Sequence, residues 1–312
     1  MSEPEASTPM GGPALGGDDG VAVRAVVVNF NAGAHLLTCV ESLARAGVGR
    51  VVVVDNASTD DSAALLASRD DVTWVDAGAN LGYGRAANRG SEGSEAAAVL
   101  VLNPDVVIEP GAVRILLDRL EAEDDLGIVG PRVRNGDGTI YPSARTFPNL
   151  IDAMGHGLLG LVAPRNRFTR RYRLLDWDHD DARRVDWVSG ACLLVRGRAW
   201  QELRGFDPAY FMYLEDVDLC WRAGRAGWGV GYEPAAEITH IQGISARLRP
   251  YRMLAAHHRS MWRFAERSTT GGRRVLLPVI AAGLGARLGV ACVRHRAGGQ
   301  QARVPGRSEP TS

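Results

Sequence analysis

The sequence contains no lysine, so every one of its basic residues is an arginine. A phosphate-binding P-loop, which ends in Lys, is therefore excluded. Richness in Ala, Gly and Arg reads as a coding bias rather than a binding adaptation, and no nucleic-acid partner is expected. The four cysteines, Cys39, Cys192, Cys220 and Cys292, form no CxxC pair and no regular spacing. They give no sign of a zinc knuckle or a disulfide framework and read as free thiols of a reducing compartment. The first twenty residues lack both the basic start and the apolar run of a signal peptide. The expectation is a cytoplasmic protein with a disordered tail over 1–20. Net charge is also missing, with 36 acidic residues balancing 36 basic ones. The balance hides an asymmetry: from Arg247 onward there are thirteen Arg against two Glu, a local +11. With 46% hydrophobic and 23% charged residues in 312, the chain is neither disordered nor collagen-like, and fills one large or two modest domains.

Apolar runs alternate with amphipathic stretches, and there is no internal repeat. Val23–Val28, Val51–Val54, Val72–Val75 and Ala97–Leu102 read as strands. Leu36–Arg45, Ala63–Ser68 and Gly84–Ser91 read as the helices between them. Continuous apolar strands separated by helices imply an α/β fold with a mostly parallel sheet covered on both faces. Ligands bind such sheets at the carboxyl ends of the strands, where Asn31, Asp55 and Asn103-Pro104-Asp105 stand. Further on, Arg165–Asp181 reads as a loop, Val185–Val195 as a strand and Val217–Ala226 as a helix. Trp228–Tyr232 and Glu237–His240 read as short strands, and 251–267 as a helix.

Five segments carry candidate chemistry. Val51–Ser62 ends a strand on Asp55, a carboxylate placed to accept from a base-ring N–H, or simply a turn in which Ser or Thr caps a helix. In Ala79–Gly90, Gly82 and Gly84 allow close backbone approach, and the following helix start favours phosphate. The spacing is not that of a dinucleotide fingerprint. In Leu102–Val106, Asn103 and Asp105 flank a rigid proline, a pair of hard oxygen ligands for Mg²⁺ or Mn²⁺, or a plain Asn-Pro-Asp turn. Gly205–Arg222 runs an aromatic loop, Tyr210, Phe211 and Tyr213, into Glu215, Asp216 and Asp218 at a helix start. The helix dipole stabilises carboxylates there, and one of them beside an aromatic wall makes a general base for a sugar hydroxyl. His240 closes a short strand as a metal ligand or a structural histidine.

In this order, strand–Asp55, NxGY, Asn-Pro-Asp, SGACLLVR, FDPAYFMYLEDVDLCWR and a late His resemble the family-two inverting glycosyltransferases. The resemblance covers about residues 23 to 245 and is most specific in LEDVDLCWR. Within that family the chain is most similar to bacterial rhamnosyltransferases acting on lipid-linked cell-envelope glycans. The resemblance implies a GT-A fold and a nucleotide-sugar donor, dTDP-rhamnose by preference and a UDP-sugar such as a galactofuranosyl donor as the alternative. It assigns Phe30, Asn31, Asp55, Asn80 and Asn103 to the donor, and Trp187, Tyr213 and Glu215 to a glycan or polyprenyl-diphosphate-linked acceptor. Asp105 and His240 match its Mg²⁺ or Mn²⁺ ligands, Asn103 standing where the family has an Asp, and Asp216 matches its catalytic base. A non-catalytic sugar-nucleotide module would lack Asp105 or Asp216, and a nucleotidyltransferase would need a basic Gly-rich loop after the first strand.

The expected domains are a transferase unit over 21–250, a basic and apolar helical extension over 251–296 and a disordered tail over 297–312. Val275–Val293 is a nineteen-residue, mostly apolar run. Pro278, three glycines and Arg287 argue against a membrane span. Arg273, Arg274, Arg294 and Arg296 at its ends suit a segment lying among headgroups. Peripheral attachment at the inner face of the cell membrane is expected.

Overall fold

A computed structural model describes residues 22–147, 170, 174, 176–241 and 250–301. The expected tail over 1–20, most of the one over 297–312, and 165–169, 171–173 and 175 of the expected loop lie outside the described residues.

Strands β1 (Val23–Asn29), β2 (Val51–Asp55), β3 (Val72–Asp76) and β4 (Ala98–Leu102) form a parallel array in the order β3-β2-β1-β4. Every residue of β2 and β4 is buried, as expected of unbroken apolar runs in a sheet covered on both sides. Helix α1 (Ala34–Arg45) buries Leu36, Val40 and Leu43 against one face. Helices α2 (Ser62–Leu66) and α3 (Tyr83–Gly90) follow β2 and β3, and α3 lays Ala86 and Ala87 on the other face. The order of strands reverses between β1 and β4, so the ends of β1, β2 and β4 open on one crevice.

The second half continues the same sheet through β5 (Val106–Ile108), α4 (Ala112–Ala122) and β6 (Leu126–Asn135). Short β7 (Ile140–Tyr141) pairs with β6, and β8 (Ala144–Arg145) begins a separate two-stranded sheet. The expected strand over Val185–Val195 divides at Gly190 into β10 (Trp187–Val188), paired with β8, and β11 (Cys192–Arg196), inserted between β4 and β6. The two strands expected over Trp228–Tyr232 and Glu237–His240 are one, β12 (Gly229–His240), bulged between Glu233 and Glu237. Strand β9 (Arg183–Arg184) pairs with its edge. Of the expected loop over Arg165–Asp181, the described stretch 176–181 has no regular structure and docks on β12, with the Tyr232 hydroxyl donating to the His179 carbonyl at 3.1 Å.

Helices α5 (Gly197–Leu203) and α6 (Glu215–Arg225) cover the face opposite α1. Helix α6 begins two residues earlier than its sequence suggests and takes Glu215 and Asp216 into its first turn. Helix α7 (Pro250–Ser268) packs on the loop before α6, and α8 (Leu277–Gln301) follows a 3-10 turn, Gly271–Leu276, and runs past the expected end of the extension at 296. Cys39, Cys192 and Cys220 are buried free thiols, and Cys292 is partly exposed.

Helix α3 sits so close to the sheet that a Cβ on Gly90 would lie 2.4 Å from Val26 Cγ1 and 2.8 Å from Val54 Cγ2. Both valines are core residues that cannot retreat. Gly90→Ala should therefore destabilise the protein by about 1–2 kcal/mol through overpacking, despite the ~1 kcal/mol that Ala gains in helix propensity. A urea midpoint no lower than wild type would refute this.

Candidate active site

At the crevice lies a cavity of about 440 Å³. Its floor is the end of β1 and the turn after β4, and its far walls come from β10, the 212–217 segment and His240.

One corner is a tight polar cluster. The Asn-Pro-Asp turn points Asn103 and Asp105 at the last residue of β12, which pairs with β5 immediately beyond that turn. His240 Nε2 lies 3.1 Å from Asp105 Oδ1 and 3.2 Å from Asn103 Nδ2. Asp105 is buried, and its carbonyl accepts from Ile241 N at 3.0 Å. Residues 137 apart in sequence are thus locked together by the antiparallel register of β5 and β12. Among the described residues no group of three His, Cys, Asp or Glu side chains forms a metal cage, and the third polar side chain at this corner is the Asn103 amide.

The carboxylates of the α6 start line the same cavity. Asp216 Oδ2 accepts from Gly190 N at 2.8 Å, and Oδ1 accepts from Val217 N at 2.8 Å. The Tyr83 hydroxyl donates to Gly190 O at 2.6 Å, so Gly190 is gripped on both sides. A Cβ on Gly190 would stand 3.1 Å from Asp216 Cβ. Burial raises the Asp216 pKa, opposed by these two N–H groups and by the charge of Arg145. Glu215 is pushed further, to about 8, by burial and then by the negative charge of Asp216. Its Oε2 is buried and has no hydrogen-bond partner. Environment thus separates the two neighbours: burial favours the protonated form of Glu215, whereas two N–H groups and the charge of Arg145 favour the carboxylate form of Asp216. Asp218, the third acid of the turn, is fully buried and paired with Arg222 at 2.7 Å, so it is structural.

The loop that presents this pair is strained. Tyr213 and Leu214 both adopt left-handed backbone, φ 68° and 62°, which costs roughly 1–2 kcal/mol for each non-glycine residue. Three contacts from α7 hold the conformation. Ser260 Oγ donates to Met212 O at 2.9 Å, His257 meets Tyr213 edge-on at 5.1 Å, and Arg263 pairs with Asp207 at 3.1 Å. On the other side Tyr83 N donates to Phe211 O at 3.1 Å. Gly82, at φ +87°, is required there because a Cβ would come within 2.1 Å of the Phe211 carbonyl.

Most of the residues selected from sequence face this cavity: Phe30, Asn80, Asn103, Asp105, Trp187, Tyr213, Glu215, Asp216 and His240 all line it. Asp55 and Asn31 stand behind its wall. Asp55 Oδ1 accepts from Asn29 Nδ2 and Ser58 Oγ, and Oδ2 accepts from Ser58 N. Asn31 Oδ1 accepts from Thr59 N at 2.7 Å. Both therefore shape the loop after β2. At the start of α2 the N-cap residue Asp61 makes no side-chain cap, and Asp60 Oδ1 accepts from Ser62 N at 3.2 Å. Sequence reasoning missed Asn56, Arg145, Gly190 as a backbone donor, and His257. Arg145 lies in an unremarkable Pro-Ser-Ala-Arg stretch and reaches the site only through the pairing of β8 with β10, so no local signal marks it.

Glu215 also links the site to stability. Its folded pKa lies above its unfolded value, so its contribution is fully present below about pH 4.5 and is lost as pH rises toward 8. Glu215→Gln removes this burden. Its stability relative to wild type should rise steadily between pH 5 and 8 in urea melts, and a pH-independent difference would contradict the assignment.

The chain is similar to known proteins in sequence and in fold. The family model described as "Glycosyltransferase like family 2" matches residues 21–265. The chain is 42% identical over 253 residues to the N-acetylglucosaminyl-diphospho-decaprenol L-rhamnosyltransferase of Mycobacterium tuberculosis, covering 77% of this chain and 82% of that protein. It is 28% identical over 170 residues to the rhamnosyltransferase WbbL of Escherichia coli K12, covering 54% and 61%. Among solved structures it is similar in fold to Staphylococcus aureus TarS 1–349, with a TM-score of 0.51, 14% identity, and coverage of 85% of this chain and 71% of that one. A second fold neighbour is GalNAc-T7 with UDP, GalNAc and Mn²⁺, with a TM-score of 0.53, 14% identity, and coverage of 72% and 43%. The chain is a glycosyltransferase and belongs to glycosyltransferase-like family 2.

Proposed function

We propose that the protein transfers L-rhamnose, with inversion, from dTDP-rhamnose to the sugar of a polyprenyl-diphosphate-linked acceptor in cell-envelope polysaccharide synthesis. The single observation that carries the reaction type is Asp216, held by two N–H groups in the wall of the cavity that the Asn103–Asp105–His240 cluster also lines. The 42% identity to a rhamnosyltransferase supports the choice of donor and acceptor.

On this reading Phe30 and Asn80 flank the nucleoside. Asp55 Oδ2 accepts one bond in the structure and, as a carboxylate oxygen, has a second lone pair for a base N–H, with Asn31 keeping the adjoining loop in place. The cluster fits a divalent cation: turning the Asn103 amide over would converge a carboxylate oxygen, an imidazole nitrogen and an amide oxygen, a donor set suited to Mn²⁺ or Mg²⁺. Such an ion supplies charge neutralisation for the departing nucleoside diphosphate. The protein's own part is acid–base and positional. Trp187 and Tyr213 form the apolar wall for the acceptor sugar, and protonated Glu215 can donate to one of its oxygens. Asp216 takes the proton of the attacking hydroxyl as the sugar–phosphate bond breaks on the far face of the ring. A single displacement needs no covalent intermediate and no second acid.

Asp216→Asn should leave nucleoside-diphosphate binding intact while transfer falls by roughly 10²–10⁴, the usual worth of a general base. Turnover near wild type would remove Asp216 from the mechanism, and a preference for UDP-galactofuranose in the same assay would overturn the donor.

We further propose that the enzyme works at the inner face of the cell membrane through the segment after Ser268, with the transferase unit extending through α7. Gly271–Arg296 is long and apolar enough to cross a membrane, with mean hydropathy 1.9, and none of its apolar window is buried. Its apolar residues lie all round the helix rather than on one side, and Arg287 turns toward Met261 of α7 at 3.8 Å. A chain ending at Ser268 should lose binding to anionic liposomes yet keep binding to nucleoside diphosphate. Equal liposome binding by both chains, at low and high salt, would sink this proposal.

A further inference from the structure

Among the described residues, one arginine lines the cavity: Arg145, which is 8% exposed. Burying a guanidinium is costly, so its place in a cavity wall is a built feature. Its orientation is held on several sides. Nε donates to Pro142 O at 2.8 Å and Nη2 to the Tyr141 hydroxyl at 2.7 Å. The guanidinium carbon stands 5.3 Å from the centre of the Tyr141 ring and 4.9 Å from that of Trp187. Trp187 is its direct partner across the β8–β10 ladder, and both aromatics also line the cavity. The planar fork is thus preorganised between two rings. An arrangement of this kind suits bidentate recognition of phosphate oxygens.

Two diphosphates meet in this enzyme, the donor's and the acceptor's, and the surroundings favour the second. Arg145 belongs to the small sheet with Trp187, which leads directly into Ser189-Gly190 and the peptide that holds Asp216, and reaches the metal-type corner only beyond it, where Asn103 N donates to Ala191 O at 2.9 Å. Arg145 is also a charge felt at Asp216. Asp216 faces the attacking hydroxyl of the acceptor sugar. In a sugar carried on a lipid diphosphate, the phosphates lie one ring away from that hydroxyl.

We propose that Arg145, braced by Tyr141 and Trp187, binds the diphosphate of the lipid-linked acceptor and so sets the distance between that anchor and the hydroxyl at Asp216. This inference rests on the reading that the acceptor is a lipid diphosphate.

The test compares wild type, Arg145→Gln and Arg145→Lys on two acceptors with the same sugar, one on a short prenyl diphosphate and one a neutral alkyl glycoside. Arg145→Gln should raise KM for the diphosphate acceptor roughly 10- to 100-fold, the worth of lost charge-assisted bonds. KM for the neutral glycoside and affinity for nucleoside diphosphate with Mn²⁺ should change less than about threefold. Arg145→Lys keeps the charge and loses the fork, so its KM rise should be smaller but equally selective. It also reads the proposal should the Gln variant not fold. Equal losses on both acceptors would show a purely structural arginine, and loss of nucleoside-diphosphate affinity would place Arg145 on the donor; either outcome overturns the proposal. Calorimetry with short-chain prenyl diphosphate alone separates this inference from the function it rests on. Weaker binding to Arg145→Gln upholds the anchor even if wild type transfers to neither acceptor, and equal binding refutes it.

Discussion

The carboxylate pair at the start of α6 depends on the hydrogen bond from the Gly190 backbone to Asp216. A carboxylate needed as a base has to be partly dehydrated to be effective, and dehydration pushes it toward protonation. Two backbone N–H groups and the first turn of α6 offset that penalty at Asp216. Glu215, one residue earlier, has no such compensation on Oε2 and stays protonated. Moving Gly190 by the width of a methyl group would disturb this division of labour. The Tyr83 hydroxyl fixes Gly190 from the opposite side and ties Asp216 to the Gly82 turn.

The rest of the fold supplies the stiffness this contact requires. Fully buried strands β2 and β4 make a platform that does not flex with the surface loops. Strand β11, antiparallel to both β4 and β6, welds the parallel half to the second half, so the Asn-Pro-Asp turn and His240 keep their spacing. The left-handed residues Tyr213 and Leu214 are the costly part of the construction. Helix α7 offsets that cost with Ser260, His257 and Arg263, which ties it to the loop that carries the carboxylates. Helix α8 in turn packs on α7 through Tyr251 and His295, so a helix long and apolar enough to cross a membrane is joined to that loop through α7.

The sequence was enough to show the parallel half, since an unbroken valine run has few ways to bury itself other than between two layers of helices. Local chemistry also marked Asp105, Glu215 and Asp216, because a carboxylate at a strand end or helix start is a local feature. The division of Val185–Val195 at Gly190 and the joining of two short strands into β12 were not legible. Both depend on pairing with distant partners, β8 and β6, and an apolar run reads the same before and after such pairing.

The sequence by itself determined the α/β alternation, the order of the motifs and the acidic start of α6, because each rests on neighbours within a few residues. Only the tertiary structure decided that Asp55 and Asn31 brace a loop and that Arg145 faces the cavity. The physical reason is that burial and charge act through space. A carboxylate becomes a base or a brace according to which backbone N–H groups and guanidinium groups surround it, and those come from strands and helices far away along the chain.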